Sequence, residues 1–134
     1  MVRATIGETA YRVEIAAGGH ALVGDEPVEH GGADAGPAPF DLVLSGLAAC
    51  TLITLRMYAE RKGWAGVAVT GQFRYRRDSE AHLIDRRLEV AGAPDEAALQ
   101  RLREIAERTP VTLALKAGFA ISTVLEATQP ASQT

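Results

Sequence analysis

Cysteine is almost missing: Cys50 is the one thiol in 134 residues, so no intrachain disulfide and no thiolate zinc site can form. Excess positive charge is missing too, with 14 Lys+Arg against 17 Asp+Glu and a net charge of −3, which removes the electrostatic footprint for nucleic acid or anionic lipid. No basic segment followed by an apolar one opens the chain, so no secretory signal is visible and a cytosolic location is expected. The longest apolar stretch, Leu42 to Leu55, is broken by Ser45, Thr51 and Thr54 and falls short of the roughly 20 residues of a bilayer span, so no membrane partner is expected. His20, His30 and His82 stand in three separate segments with no ligand spacing, so no metal is expected. Gly31-Gly32 and Gly36-Pro37 match neither a phosphate loop nor a dinucleotide fingerprint, and no cofactor is expected.

What is present is a globular composition, 47% hydrophobic and 23% charged, at the length of one domain spanning 1–134. Residues 2–25 alternate between turn signals, with Tyr11, Val13 and Ile15 on one face and Arg12 and Glu14 on the other, which predicts three short strands. Residues 26–38, rich in Gly, Pro and acids, predict a loop. Pro39 suits a first helical turn, Asp41 complements its dipole, and Gly63 stops a helix running from about Pro39 to Lys62. Residues 66–76 and 82–91 alternate around a polar Arg77-Asp78-Ser79-Glu80 and predict a hairpin. Leu99, Leu102, Ile105 and Ala106 predict a second helix ending at Pro110. Residues 111–118 are ambiguous between helical turn and loop, Phe119, Ile121, Thr123 and Leu125 alternate as a final strand, and 126–134 reads as a frayed tail. The order β-β-β-α-β-β-α-β belongs to the α+β class.

The Pro39 helix is apolar nearly all round in its first half, and Gly46, Ala48, Ala49 and Cys50 allow another backbone to approach closely. Such a helix needs cover on every side, which a partner subunit or the C-terminal half of the chain would supply. Cys50 lies about three turns inside it, where it reads either as a small core residue or as a reactive thiol. Burial in mid-helix raises a thiol's pKa, so reactivity calls for a cation from elsewhere, and Arg12 and Arg56 are the first candidates. Arg74, Arg76 and Arg77, with Arg86 and Arg87 as cross-hairpin neighbours, read as a solvated cluster.

Three runs are specific enough to place the chain beside a family: Gly31-Gly32-Ala33-Asp34-Ala35-Gly36-Pro37-Ala38-Pro39-Phe40-Asp41-Leu42, Gly46-Leu47-Ala48-Ala49-Cys50-Thr51, and Thr54-Leu55-Arg56-Met57-Tyr58-Ala59-Glu60-Arg61-Lys62-Gly63-Trp64. The chain resembles the OsmC/Ohr family over almost its whole length. The resemblance implies an intertwined homodimer, with two long central helices wrapped by antiparallel sheets. It also implies thiol-dependent reduction of organic hydroperoxides, with Cys50 at the peroxidatic position. Thr109 stands where the family carries its resolving cysteine, so an external thiol is the expected reductant. Phe40 stands where the family carries a first-turn glutamate, with Asp41 one helical step, roughly 100°, away. Cys50 with Arg12 as activating cation is therefore the candidate catalytic pair, and Phe40, Asp41, Leu44 and Leu47 are the candidate binding residues. A non-catalytic homodimer holding a small apolar molecule at the same interfacial pocket is the alternative.

Overall fold

The computed structural model describes residues 1–128. Three short strands, β1 (Val2–Ile6), β2 (Val13–Ala17) and β3 (His20–Gly24), form an antiparallel meander in the order β1-β2-β3. The register opposes Ala4 with Ile15 and Ile15 with Leu22, which places Val2, Ala4, Ile6, Val13, Ile15, Ala17 and Leu22 on one apolar face. A second sheet is the long hairpin β4 (Ala68–Asp78) and β5 (Ala81–Ala91), paired in register from Ala68↔Ala91 to Asp78↔Ala81.

Between the sheets comes α1 (Pro39–Arg61), with Pro39 at its first position and Lys62 as its C-cap, within one residue of the bounds that Pro39 and Gly63 predict. Its inner face packs on β4, and two further helices close over it: α2 (Glu96–Ala106), N-capped by the Asp95 carboxylate, and α3 (Pro110–Ala117). The core lies here, with Leu55, Ala59, Val67, Leu102 and Ala106 buried and Trp64, Val69, Leu88 and Val90 packed against them. Burying each of Leu55, Val67 and Leu102 contributes on the order of 1.5–3 kcal/mol.

Two expectations change. Residues 111–118 are helical, because Pro110 both ends α2 and opens α3 behind the Thr109 N-cap, where its missing N–H costs nothing. The expected final strand over 119–125 does not form within the chain: residues 118–128 carry no regular structure, and Phe119, Ile121, Val124 and Leu125 are exposed. The order within one chain is therefore β-β-β-α-β-β-α-α, still α+β. Of the tail expected to fray, 129–134 lies outside the described residues.

One carboxylate organises the loop that delivers α1. Asp25, 3% exposed, accepts from the backbone N–H groups of Glu26 (2.8 Å), Ala33 (3.3 Å) and Ala35 (3.0 Å). The Ala35 bond foremost, with those from Glu26 and Ala33 and the charge of Arg12, holds the Asp25 carboxyl below its ordinary range against the opposing pull of burial. The winding is so close that a Cβ on Gly32 would fall 2.0 Å from the Glu26 carbonyl oxygen, and one on Gly36 would fall 2.1 Å from that of Val23. The loop returns to Pro37, whose carbonyl accepts from Asp25 N–H, and a Cβ on Gly24 would come within 3.5 Å of Leu42.

Candidate functional site

The inner stripe of α1 is Leu44, Leu47, Thr51, Leu55 and Ala59, all buried. A second apolar stripe follows at the same three-to-four spacing through Val43, Gly46, Cys50, Ile53 and Met57. This one stays open: Val43, Ile53 and Met57 are exposed and Cys50 is half-buried. The Cys50 Sγ has one hydrogen-bonding neighbour among the described residues, the Thr54 hydroxyl at 3.9 Å. By length and composition α1 would also pass for a membrane span, yet its inner face carries a bond from a buried arginine.

That arginine is Arg86, with a side chain 12% exposed. Its Nη1 donates to Thr51 Oγ1 on α1 (3.1 Å) and to Thr112 Oγ1 on α3 (2.9 Å), and its Nη2 donates to the Ala106 carbonyl at the end of α2 (2.9 Å). One guanidinium thus ties β5 to all three helices. Thr112 pairs with Thr109 (Oγ1 to Oγ1, 2.7 Å), and Thr109 Oγ1 accepts from Thr112 N–H. A fully buried threonine at 109 is therefore satisfied by its neighbours and caps a helix. Beside this network opens a cavity of about 600 Å³, walled by Leu47, Ile84, Leu115, Arg86, Glu107 and Lys116 among others. Lys116 Nζ donates to Glu107 Oε2 (2.6 Å), and this bond, reinforced by the charges of Lys116 and Arg86, holds the Glu107 carboxyl below its ordinary range although burial opposes it.

The residues singled out from sequence are brought together in part. Leu47 lines the cavity beside the Arg86 network, Thr109 is hydrogen-bonded to Thr112 within that network, and Leu44 is buried on the inner stripe of α1. Phe40, half exposed, stacks flat on Tyr75 of β4 at 3.9 Å between centroids, and the Tyr75 hydroxyl meets His82 Nδ1 at 2.6 Å. Asp41 offers its backbone carbonyl to Ser45 Oγ (2.7 Å), while Arg12 Nε is held by Glu14 Oε1 at 2.6 Å on the polar side of the first sheet. Within one chain, Arg12 and Cys50 make no bond among the described residues.

Arg86 escaped the sequence reading, which grouped it with the solvated arginines. Its signal was register: 86 shares parity with His82, Ile84, Leu88 and Val90, so it is the one charged position in an inward-facing alternation. Arg74 and Arg76 lie on the opposite face, where Arg76 is bound to Asp85.

A family model described as OsmC-like protein matches residues 31–124. An OsmC-like protein from Mycoplasma pneumoniae superposes with a TM-score of 0.73 at 19% identity, over 87% of this chain and 86% of that one. A Legionella pneumophila structure, described as an organic hydroperoxide resistance protein OsmC and predicted redox protein, superposes with a TM-score of 0.62 at 21% identity, over 87% and 88%. A Vibrio cholerae OsmC-like protein of unknown function gives 0.61 at 11% identity, over 84% and 90%. At these identities the likeness is one of fold. No curated protein sequence matches significantly. With the family model spanning well over half of the chain, including the Cys50 helix, the long hairpin and both C-terminal helices, the chain belongs to the OsmC-like protein family.

Proposed function

We propose that the protein is a cytosolic, thiol-dependent organic hydroperoxide reductase of the one-cysteine type, acting as a homodimer in oxidative stress defence. The observation that carries this reading is the placement of the chain's one thiol, half-buried on the open apolar stripe of the central helix. The Cys50 thiolate attacks the distal oxygen of the hydroperoxide. The O–O bond breaks, the alkoxide takes up the proton that the thiol lost on ionising and leaves as the alcohol, and the sulfur becomes a sulfenic acid. Thr109 offers no second sulfur, so an external thiol attacks the sulfenic sulfur and expels water. A second external thiol then attacks the mixed disulfide, which frees Cys50 and leaves the reductant as a disulfide.

Dimerisation is supported by three apolar surfaces that the chain leaves uncovered. The first sheet exposes Val2 (65%), Ile6 (55%) and Leu22 (44%), α1 exposes Ile53 (57%) and Met57 (48%), and the segment after α3 exposes Ile121 (85%) and Leu125 (91%). Patches of this kind mark association surfaces. Arg12 is the proposed activating cation, delivered across the dimer, since within its own chain Glu14 holds it.

The test is consumption of cumene hydroperoxide by reduced protein with dithiothreitol as external thiol. Turnover by the natural chain, lost in Cys50→Ser and lowered in Arg12→Ala, is the expected result. No turnover, or full activity in Cys50→Ser, overturns it. A second reading, a non-catalytic dimer holding a small apolar molecule, is favoured by one observation: among the described residues Sγ has a hydroxyl and no cation within hydrogen-bonding reach. A dimer that binds apolar molecules yet leaves the hydroperoxide intact would establish that reading.

A further inference from the structure

We propose that the cavity between α1, β5 and α3 binds a small carboxylate-bearing amphiphile, its anionic group on Arg86 and Lys116 and its apolar chain on Leu47, Ile84 and Leu115. A guanidinium presents five N–H donors. Arg86 spends two on Thr51 and Thr112 and one on the Ala106 carbonyl. Its Nε–H and second Nη2–H have no hydrogen-bond partner among the described residues. Glu107 forms an ion pair with the guanidinium, its Oε1 3.6 Å from Nη2, while its other oxygen is held by Lys116.

The balance of charge inside the walls points the same way. Arg86, Lys116 and His82 line the cavity, and of its two carboxylates Asp85 is bound to Arg76. Glu107 remains as the one acid facing two cationic side chains, Arg86 and Lys116, in a protein whose net charge is −3. A ligand carboxylate entering beside Glu107 offers two oxygens to the unspent donors, the arrangement in which arginine binds carboxylates most strongly. The volume of about 600 Å³ suits an acid of about eight carbons, since small-molecule pockets run from about 300 to 1,000 Å³. Cys50 is not in the wall, although Leu47, a candidate binding residue for the hydroperoxide, is part of it.

The experiment is calorimetric titration of the full chain with octanoate and with octan-1-ol, with amide chemical shifts locating the contact. Octanoate is expected to shift the amides around Leu47, Ile84 and Leu115 and to bind about tenfold or more tightly than the alcohol. Arg86→Ala removes the tie between sheet and helices, so exposed neighbours carry the test instead. Lys116→Gln weakens octanoate several-fold with little effect on octan-1-ol, and Glu107→Gln, which removes the competing carboxylate, tightens it. Equal affinity for acid and alcohol, shifts confined to other surfaces, no binding of octanoate at millimolar concentration, or indifference to both variants overturns the proposal.

Discussion

Two stripes of one helix meet different fates. Leu44, Leu47, Thr51, Leu55 and Ala59 are buried within the chain, whereas Val43, Gly46, Cys50, Ile53 and Met57, roughly 130° around the same cylinder, are left partly or wholly open. Both stripes are apolar, so composition does not separate them. The difference is supplied from outside the helix: β4, α2 and α3 close over the first, and among the described residues no element closes over the second. A helix apolar on two faces can pack on both, and the thiol lies on the face that stays open within the chain.

That contrast can be broken most directly at Leu55, 1% exposed in the core. Leu55→Ala is expected to cost about 3 kcal/mol in urea unfolding at fixed protein concentration, through lost burial and the cavity left behind. An effect below about 1 kcal/mol would mean the inner stripe is not the core. Ile53→Glu probes the open stripe: a charge forced into an apolar contact should weaken self-association about a hundredfold, or about 2.7 kcal/mol, in sedimentation equilibrium. Unchanged association would remove Ile53 from the dimer contact.

Thr51→Val sharpens the comparison at the inner stripe's polar point. It deprives Arg86 of an acceptor while keeping shape, for an expected loss of about 1–2 kcal/mol, read by the same unfolding assay. The smallest effect lies outside both stripes, at the carboxylate that winds the loop leading to α1. The folded-state pKa of Asp25 is lowered from 3.8, so its stabilisation is present above the unfolded value and disappears as pH falls through the lower, folded one. Asp25→Asn should therefore flatten the acid limb of the stability profile below about pH 4, and a profile identical to that of the natural chain would count against the clasp.

Much of the fold is legible from local periodicity. Alternation around Arg77-Asp78-Ser79-Glu80 marks the hairpin, and Pro39 and Gly63 bracket α1. Pro110 was half legible: its helix-ending role is evident, but its role as the first residue of α3 depends on Thr109 reaching Thr112 N–H. The alternation of Phe119, Ile121, Thr123 and Leu125 is genuine, yet a strand forms only where it pairs with an edge, and within the chain this segment pairs with none of the open edges of the two sheets. Arg86 shows the other kind of miss, in which charge was taken as a sign of exposure although its parity placed it inward.

What this sequence determined unaided is whatever depends on neighbours a few residues apart: where helices start and stop, which strand faces are apolar, and that the Cys50 helix is too apolar to stand alone. Only the tertiary structure decided which apolar stripe is closed, that Arg86 rather than Arg12 joins the central helix within the chain, and that Thr109 is buried in a hydroxyl pair. Those outcomes rest on side chains from segments far apart in sequence meeting at hydrogen-bond distance, and no local pattern encodes such a meeting.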